Sequence, residues 1–296
     1  VVVKLVISGS SGLIGSALVP ELAGRGHEVV RLVRRAPTAP DELHWDPAAG
    51  ILQAEALADV DVVVNLAGAT IGQRWTQRAR EQILSSRIDT TRLLAETAAT
   101  RSPMPALIVA SAVGYYGDQG DEELTEASEH GDGFLADVAV EWERAAQPAR
   151  DAGARTVHLR QGIVLSRAGG ALARLLTPFR LGLGGRVGSG TQYWSWISLV
   201  DAVATYVWAI EGDVSGPVNA VAPRPVTNTE LVTALGTVLR RPTRVPLPSL
   251  AVRAMFGQMG AEMLLGGQRA LPARLTEAGF AFSHPDVQSG LRSALG

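Results

Sequence analysis

Gly9-Ser10-Ser11-Gly12-Leu13-Ile14-Gly15 follows a short β-branched run at residues 3–8 and opens a helical pattern at 13–23. One glycine at such a junction permits a tight turn, and another lets the backbone approach a pyrophosphate. The last lets helix and strand pack closely. Phosphates then sit on the helix N-terminus, where N–H groups without partners and the helix dipole favour anions. A glycine pattern alone is weak evidence; its strand–turn–helix setting makes it strong. The competing reading is an ordinary glycine-rich turn. On the dinucleotide reading Gly9, Ser11, Gly12, Leu13, Ile14 and Gly15 bind the cofactor.

Outward from this turn, short apolar runs alternate with helical patterns. Strands are predicted at 3–8, 28–33, 61–66, 106–111 and 156–160, and helices at 13–23, 76–100 and 134–151. Pro148 predicts a kink or an early stop in the last helix. Such alternation builds βαβ units and a parallel sheet covered on both faces, and right-handed crossovers make it doubly wound. From about Arg167 the pattern changes. Residues 182–190 hold five glycines and read as a loop. A helix is predicted at 199–212 with Ser198 as its N-cap, and a last sheet strand at 217–221. The fold class is therefore α/β: a doubly wound Rossmann parallel sheet with a smaller, mostly helical C-terminal substrate-side domain. The cofactor-binding unit takes residues 1–166 and 199–222; the substrate-side unit takes 167–198 and 223–296.

The second strand ends Arg31-Leu32-Val33-Arg34-Arg35. An NAD-preferring site usually places an acidic residue there for the ribose 2′-OH. A guanidinium instead matches a 2′-phosphate in charge and in bidentate geometry. Arg34 and Arg35 thus point to NADP(H), with stacking on adenine open to either and a solvated basic turn as the alternative. The third strand ends Asn65-Leu66-Ala67-Gly68. Its end Leu66-Ala67-Gly68, small at Ala67 and Gly68, leaves room for the adenosine half across the strand ends.

Composition narrows the chemistry. The 296 residues are 46% hydrophobic and 19% charged, enough for a packed core and too apolar for wholesale disorder. No cysteine is present, so disulfides, thiol nucleophiles and thiolate metal sites are excluded, which fits a cytoplasmic protein. A net charge of −2 argues against a broad nucleic-acid footprint. No apolar run is long enough to span a bilayer, so no membrane partner is expected. The five histidines lack ligand spacing, so no metal site is expected. Of 27 basic residues only Lys4 is lysine. Mechanisms that need an active-site lysine must use it, and it enters the first strand at the end away from the glycine turn.

Taken together, the glycine turn, Asn65-Leu66-Ala67-Gly68 and Ser111-Ala112-Val113-Gly114-Tyr115-Tyr116-Gly117 resemble the extended short-chain dehydrogenase/reductase superfamily. Within it the chain is similar to the atypical, nucleoside-diphosphate-sugar epimerase-like branch labelled epimerase family protein 39U. Trp142-Glu143, the stretch from Leu159-Arg160 to Leu165, the stretch from Pro178 to Gly185, Gly188 to Gln192, Trp196-Ile197 and Asn219 to Pro223 extend the likeness. Leu271-Pro272 and Ala278-Gly279-Phe280 complete it over nearly the whole chain. The resemblance implies an NADP(H)-binding Rossmann domain and places Arg87 near the cofactor, the alternative being a helix-surface arginine paired with Asp89 or Glu81.

The superfamily's working pair is a tyrosine followed four residues later by lysine. Here Tyr115, Tyr116, Tyr193 and Tyr206 are followed at that spacing by Gln119, Gly120, Ile197 and Ile210. Phe134 and Val138 stand where the pair belongs. Ser111, Tyr115 and Tyr116 are the remaining candidates for catalysis, although Ala112 falls nearer the usual serine position. An ordinary tyrosine titrates near ~10 and needs tuning to act as a base. Gln192, Trp194 and Trp196 are the substrate candidates, since aromatic faces with an amide suit a sugar-like ligand. Two functions follow: an NADP(H)-dependent oxidoreductase or epimerase on a small polar substrate, or an NADP(H)-binding regulatory or redox-sensing module without turnover. A homodimer is open.

Overall fold

The computed structural model describes residues 2–296. Val1, where the expected cofactor-binding unit begins, lies outside the described residues. Seven strands form one sheet: β1 (Lys4–Ser8), β2 (Glu28–Val33), β3 (Glu42–His44), β4 (Val62–Asn65), β5 (Ala106–Ala112), β6 (Thr156–Gln161) and β7 (Gly216–Ala220). Their order is β7-β6-β5-β4-β1-β2-β3 and every neighbouring pair is parallel. The sheet is doubly wound, as the alternating pattern requires.

Side chains alternate across the strands, so each strand feeds two cores. Leu5 and Ile7 of β1 and Val62 and Val64 of β4 face Leu18 and Leu22 of α1 (Gly15–Gly24). Val203 and Val207 of α6 (Leu199–Glu211) join the same cluster. Val6, Val63 and Leu107 face the other way, onto Leu94 and Ala98 of α2 (Gln77–Ala99) and Trp142 of α3 (Phe134–Arg144). Thr76 caps α2 and Ser198 caps α6, each accepting from the N–H three residues on.

The single helix expected over 134–151 is two. The chain breaks at Ala145 and Ala146, and α4 (Gln147–Asp151) restarts with Pro148 in its first turn. A missing N–H costs nothing there, because first-turn donors have no intrahelical acceptor. The pattern also passed over edge strand β3 and α5 (Gly170–Arg180), a helix that holds Pro178.

The remaining chain packs around its own core. Leu172, Leu176 and Phe179 of α5, Val232 and Leu235 of α7 (Asn228–Leu239) and Leu291 of α10 (Val287–Leu295) surround Trp196. Between α7 and α10 lie α8 (Ser249–Gly260) and α9 (Ala273–Glu277). No described helix is long and apolar enough to cross a membrane.

Leu107 is fully buried at the centre of the sheet. Leu107→Ala should lower unfolding free energy by about 2–5 kcal/mol, read as a shift of the denaturation midpoint with an unchanged slope.

Candidate functional site

Strand order reverses between β1 and β4, and the glycine turn lies at the carboxyl end of that junction. Gly9 has φ +70°, and a Cβ there would stand 2.6 Å from the Leu66 carbonyl carbon. A Cβ on Gly15 would stand 2.3 Å from the Gly9 oxygen. Only glycine fits at either position. The Gly12 N–H closes the turn on the Gly9 carbonyl at 2.9 Å. The N–H groups of Ser10, Ser11, Leu13 and Ile14 meet no acceptor among the described residues. Those of Ser10 and Ser11 border a cleft of about 920 Å³ whose walls also include Gly9, Gly12, Leu66, Ala67 and Gly68.

Leu13, Ile14 and Gly15 do not line that cleft, and their expected part in holding the cofactor rests on the backbone of the turn. Ile14 packs on the sheet core, Leu13 lies beside Gly169 and Gly170, and Gly15 serves the helix–turn contact. Arg87 does not line the cleft either. Its Nη1 donates to the carbonyls of Ala69 (3.1 Å) and Ile83 (2.9 Å), and its guanidinium lies over the Trp142 ring at 4.9 Å. Burial lowers its pKa to about 10. It props up the Gly68–Ala69 backbone, and the alternative pairs with Asp89 or Glu81 do not form among the described residues.

The two arginines ending β2 separate. Arg35 donates to Glu42 through Nη1 (2.8 Å) and Nη2 (2.6 Å), and Arg31 is paired with Asp41 at 2.7 Å. The Arg35 contact, then the Thr38 N–H, holds the Glu42 carboxyl down at about 2. Arg34 lines the cleft and has no ion-pair or hydrogen-bond partner among the described residues. It is the cation there left to meet an anion. Sequence reasoning missed Glu42, because the partner of Arg35 comes from the neighbouring edge strand.

Beneath the turn runs a buried polar chain that the sequence did not reveal. Ser8 Oγ donates to Asn65 Oδ1 at 2.6 Å, and the Ala67 N–H donates to the same oxygen at 3.1 Å. Asn65 Nδ2 donates to Thr91 Oγ1 at 2.8 Å, which also accepts from Trp142 Nε1 at 3.0 Å. The chain joins β1, β4, α2 and α3 below the cleft.

At the carboxyl end of β5 a second network forms. Ser111 Oγ donates to Glu143 Oε1 at 2.7 Å, and Arg160 clasps both oxygens of Glu143 at 2.8 and 2.9 Å. Burial works against the Glu143 charge, but Arg160 and Ser111 hold its carboxyl below the usual range. Arg160 Nη1 also donates to the Tyr116 hydroxyl at 3.0 Å, which donates to Asn219 Oδ1 at 2.7 Å. Tyr116 is fully buried, and burial raises its pKa, so its phenol stays protonated. Ser111 and Tyr116, expected to orient or protonate a substrate, are both members of this network.

Tyr115 differs. Its ring lies 3.4 Å from the Arg160 guanidinium carbon, it is half-buried, and its hydroxyl has no partner among the described residues. The signal for Glu143 and Arg160 was present in the sequence: an arginine within an apolar strand needs a buried partner.

Phe134 and Val138 lie in an apolar cluster with Trp75 and Ile83, the Phe134 and Trp75 rings meeting edge-on at 4.9 Å. Glu262 accepts from the N–H groups of Phe134 (3.3 Å) and Leu135 (3.0 Å) and so caps α3. The three substrate candidates, Gln192, Trp194 and Trp196, lie in the interior. Trp196 is fully buried in the α5–α7–α10 core, with Nε1 donating to the Arg224 carbonyl at 3.1 Å. Gln192 is buried, its Nε2 spent on the carbonyls of Val187 (3.1 Å) and Leu264 (2.7 Å). Trp194 is buried too. The three knit the glycine-rich loop to the tail and do not wall the cleft.

Comparison with known proteins follows the same lines. Residues 5–221 match the NAD dependent epimerase/dehydratase family, and residues 247–294 match a domain of unknown function. An epimerase family protein of Mycobacterium bovis is 50% identical over 96% of this chain and 95% of its own length. The human epimerase family protein SDR39U1 is 40% identical over 98% of each chain. The crystal structure of human SDR39U1 (isoform 2) with NADPH superimposes with a TM-score of 0.89, covering 99% of each chain. A nucleoside-diphosphate sugar epimerase of Corynebacterium glutamicum, 38% identical, gives 0.83, covering all of this chain and 59% of its own.

His158, beside Glu143 and Arg160, is buried with both ring nitrogens unpartnered, and burial lowers its pKa from 6.5 to about 4. Below its ordinary value the unfolded chain takes up a proton that the folded chain refuses. Stability should therefore fall with pH between 6.5 and about 4, with His158 contributing up to about 1.4 kcal/mol per pH unit. Denaturation of His158→Leu across that range should show the slope reduced by this amount.

Proposed function

We propose that the chain, which belongs to the NAD dependent epimerase/dehydratase family, is an NADP(H)-dependent oxidoreductase of epimerase type acting on a small polar, sugar-nucleotide-like substrate in the cytoplasm. One observation carries the cofactor assignment. The cleft joins partnerless N–H groups at the glycine turn to the unpaired guanidinium of Arg34. That set fits a pyrophosphate and an adenosine 2′-phosphate, and the human relative solved with NADPH supports it. The bound dinucleotide would supply hydride exchange at its nicotinamide.

The chain's own residues do the rest. Ser10, Ser11, Leu13 and Ile14 present N–H groups to the pyrophosphate, and Arg34 meets the 2′-phosphate. Arg35, immobilised by Glu42, offers a flat face beside the adenine site. Arg87 holds the Gly68–Ala69 floor in place. Tyr115 is the hydroxyl free to exchange a proton with substrate, and Arg160, itself fixed by Glu143, holds the Tyr115 ring. A second reading keeps the cofactor and drops the turnover; the apolar Phe134 and Val138, where a reactive pair would stand, favour it.

Calorimetry of Arg34→Ala should show NADPH affinity reduced about ten- to a hundredfold, with NADH affinity almost unchanged. Equal loss for both dinucleotides would remove the 2′-phosphate assignment. NADPH absorbance should change with some member of carbonyl and nucleotide-sugar panels, and Tyr115→Phe should lower that kcat about a hundredfold or more while NADPH binding is retained. Tight NADPH binding with no turnover anywhere would favour the second reading.

A further inference from the structure

Nine large apolar side chains stand in solvent among the described residues, and five fall in two stretches far apart in sequence. They are Leu181 (69% exposed), Leu183 (59%), Val245 (48%), Leu250 (80%) and Met255 (63%). Tertiary structure joins the backbones of the two stretches. Val245 N–H donates to the Gly184 carbonyl (3.2 Å), Leu247 N–H to Arg186 (2.9 Å) and Gly188 N–H to Leu247 (2.9 Å). Arg241 Nε donates to the Arg180 carbonyl at 3.0 Å. The two segments form one extended ribbon that runs into α8.

The charge on this ribbon is one-sided. Residues 167–198 and 231–261 hold eight arginines and no aspartate or glutamate, in a chain whose net charge is −2. Arg180, Arg186, Arg240, Arg241, Arg244 and Arg253 are exposed and form no ion pair among the described residues. A small pocket of about 160 Å³ opens between Arg186 and Arg244, room for a phosphate-sized group. The cofactor cleft uses none of these side chains.

We propose that this face docks the protein on the surface of an anionic phospholipid bilayer. Its side chains select that occupant. Isolated aliphatic tips enter the acyl boundary, and arginines around them meet headgroup phosphates while their stems lie along the apolar surface. A single-stranded nucleic acid would call for aromatic stacking platforms, and a protein hot spot for exposed tryptophan or tyrosine; the protruding residues here are leucine, valine and methionine. From the sequence alone no membrane partner is expected, because no apolar run is long enough to span a bilayer. Surface docking needs the two stretches brought together.

Flotation of the full chain with vesicles tests this. Binding is expected to vesicles of equal parts phosphatidylcholine and phosphatidylglycerol, to weaken with added salt, and to be absent with phosphatidylcholine alone. The exposed pairs Leu250→Ser with Met255→Ser, and Arg244→Gln with Arg253→Gln, should each lower the bound fraction about tenfold while NADPH affinity stays unchanged. No binding to the mixed vesicles, binding insensitive to both pairs, or binding to a single-stranded oligonucleotide in preference to the vesicles would overturn the proposal. None of these results depends on whether the enzyme turns over.

Discussion

The Leu66 carbonyl carbon lies 2.6 Å from where a side chain on Gly9 would begin. That close approach of two neighbouring strand ends governs the rest of the molecule. It lets β1 turn directly into α1 at the point where strand order reverses, and so leaves a cleft open across the carboxyl ends. A bulkier residue would push the turn off β4, and the N–H groups bordering the cleft would no longer converge. The buried chain from Ser8 through Asn65 to Thr91 and Trp142 secures the same junction from below. Each member is partnered, which matters because an unpartnered buried polar group costs about 1–3 kcal/mol.

Charge is arranged by pairing as well as by composition. Three arginines gather at the end of β2, but Asp41 and Glu42 claim Arg31 and Arg35 and leave Arg34. At the carboxyl ends of β5 and β6 the bidentate Glu143–Arg160 pair is buried among Ser111, Tyr116 and Asn219. Losing one partner of such a pair leaves a stranded charge, at a cost of about 3–5 kcal/mol. Rigidity follows: the strand ends beneath Tyr115 have little freedom, and the tyrosine stacked on Arg160 inherits a fixed position. Phe134 and Val138, where the resemblance expects a proton-handling pair, pack in an apolar cluster with Trp75 and Ile83.

The doubly wound sheet, the glycine turn and the β2 arginines were legible because each depends on neighbours in the chain. Period-two apolar runs, a turn residue that must be glycine and a strand-end charge are all local signals. Trp196 and Tyr116 misled for the opposite reason. An aromatic next to glycine-rich sequence reads the same whether it faces a ligand or fills a core, and only the packing of α5, α7 and α10 around Trp196 decides. The broken helix at Ala145–Ala146 was half legible, since Pro148 announced a disturbance but not its place.

The amino-acid order by itself determined the α/β architecture, the strand–turn–helix cradle and the presence of one lysine, Lys4, far from that cradle, because these follow from periodicity, backbone sterics and composition. Which arginine stays free, which hydroxyls are locked away, and how two acid-free stretches merge into one face were decided by tertiary structure alone. Each of those outcomes depends on a partner supplied from a distant segment, and side-chain pairing across such distances leaves no local trace in the chain.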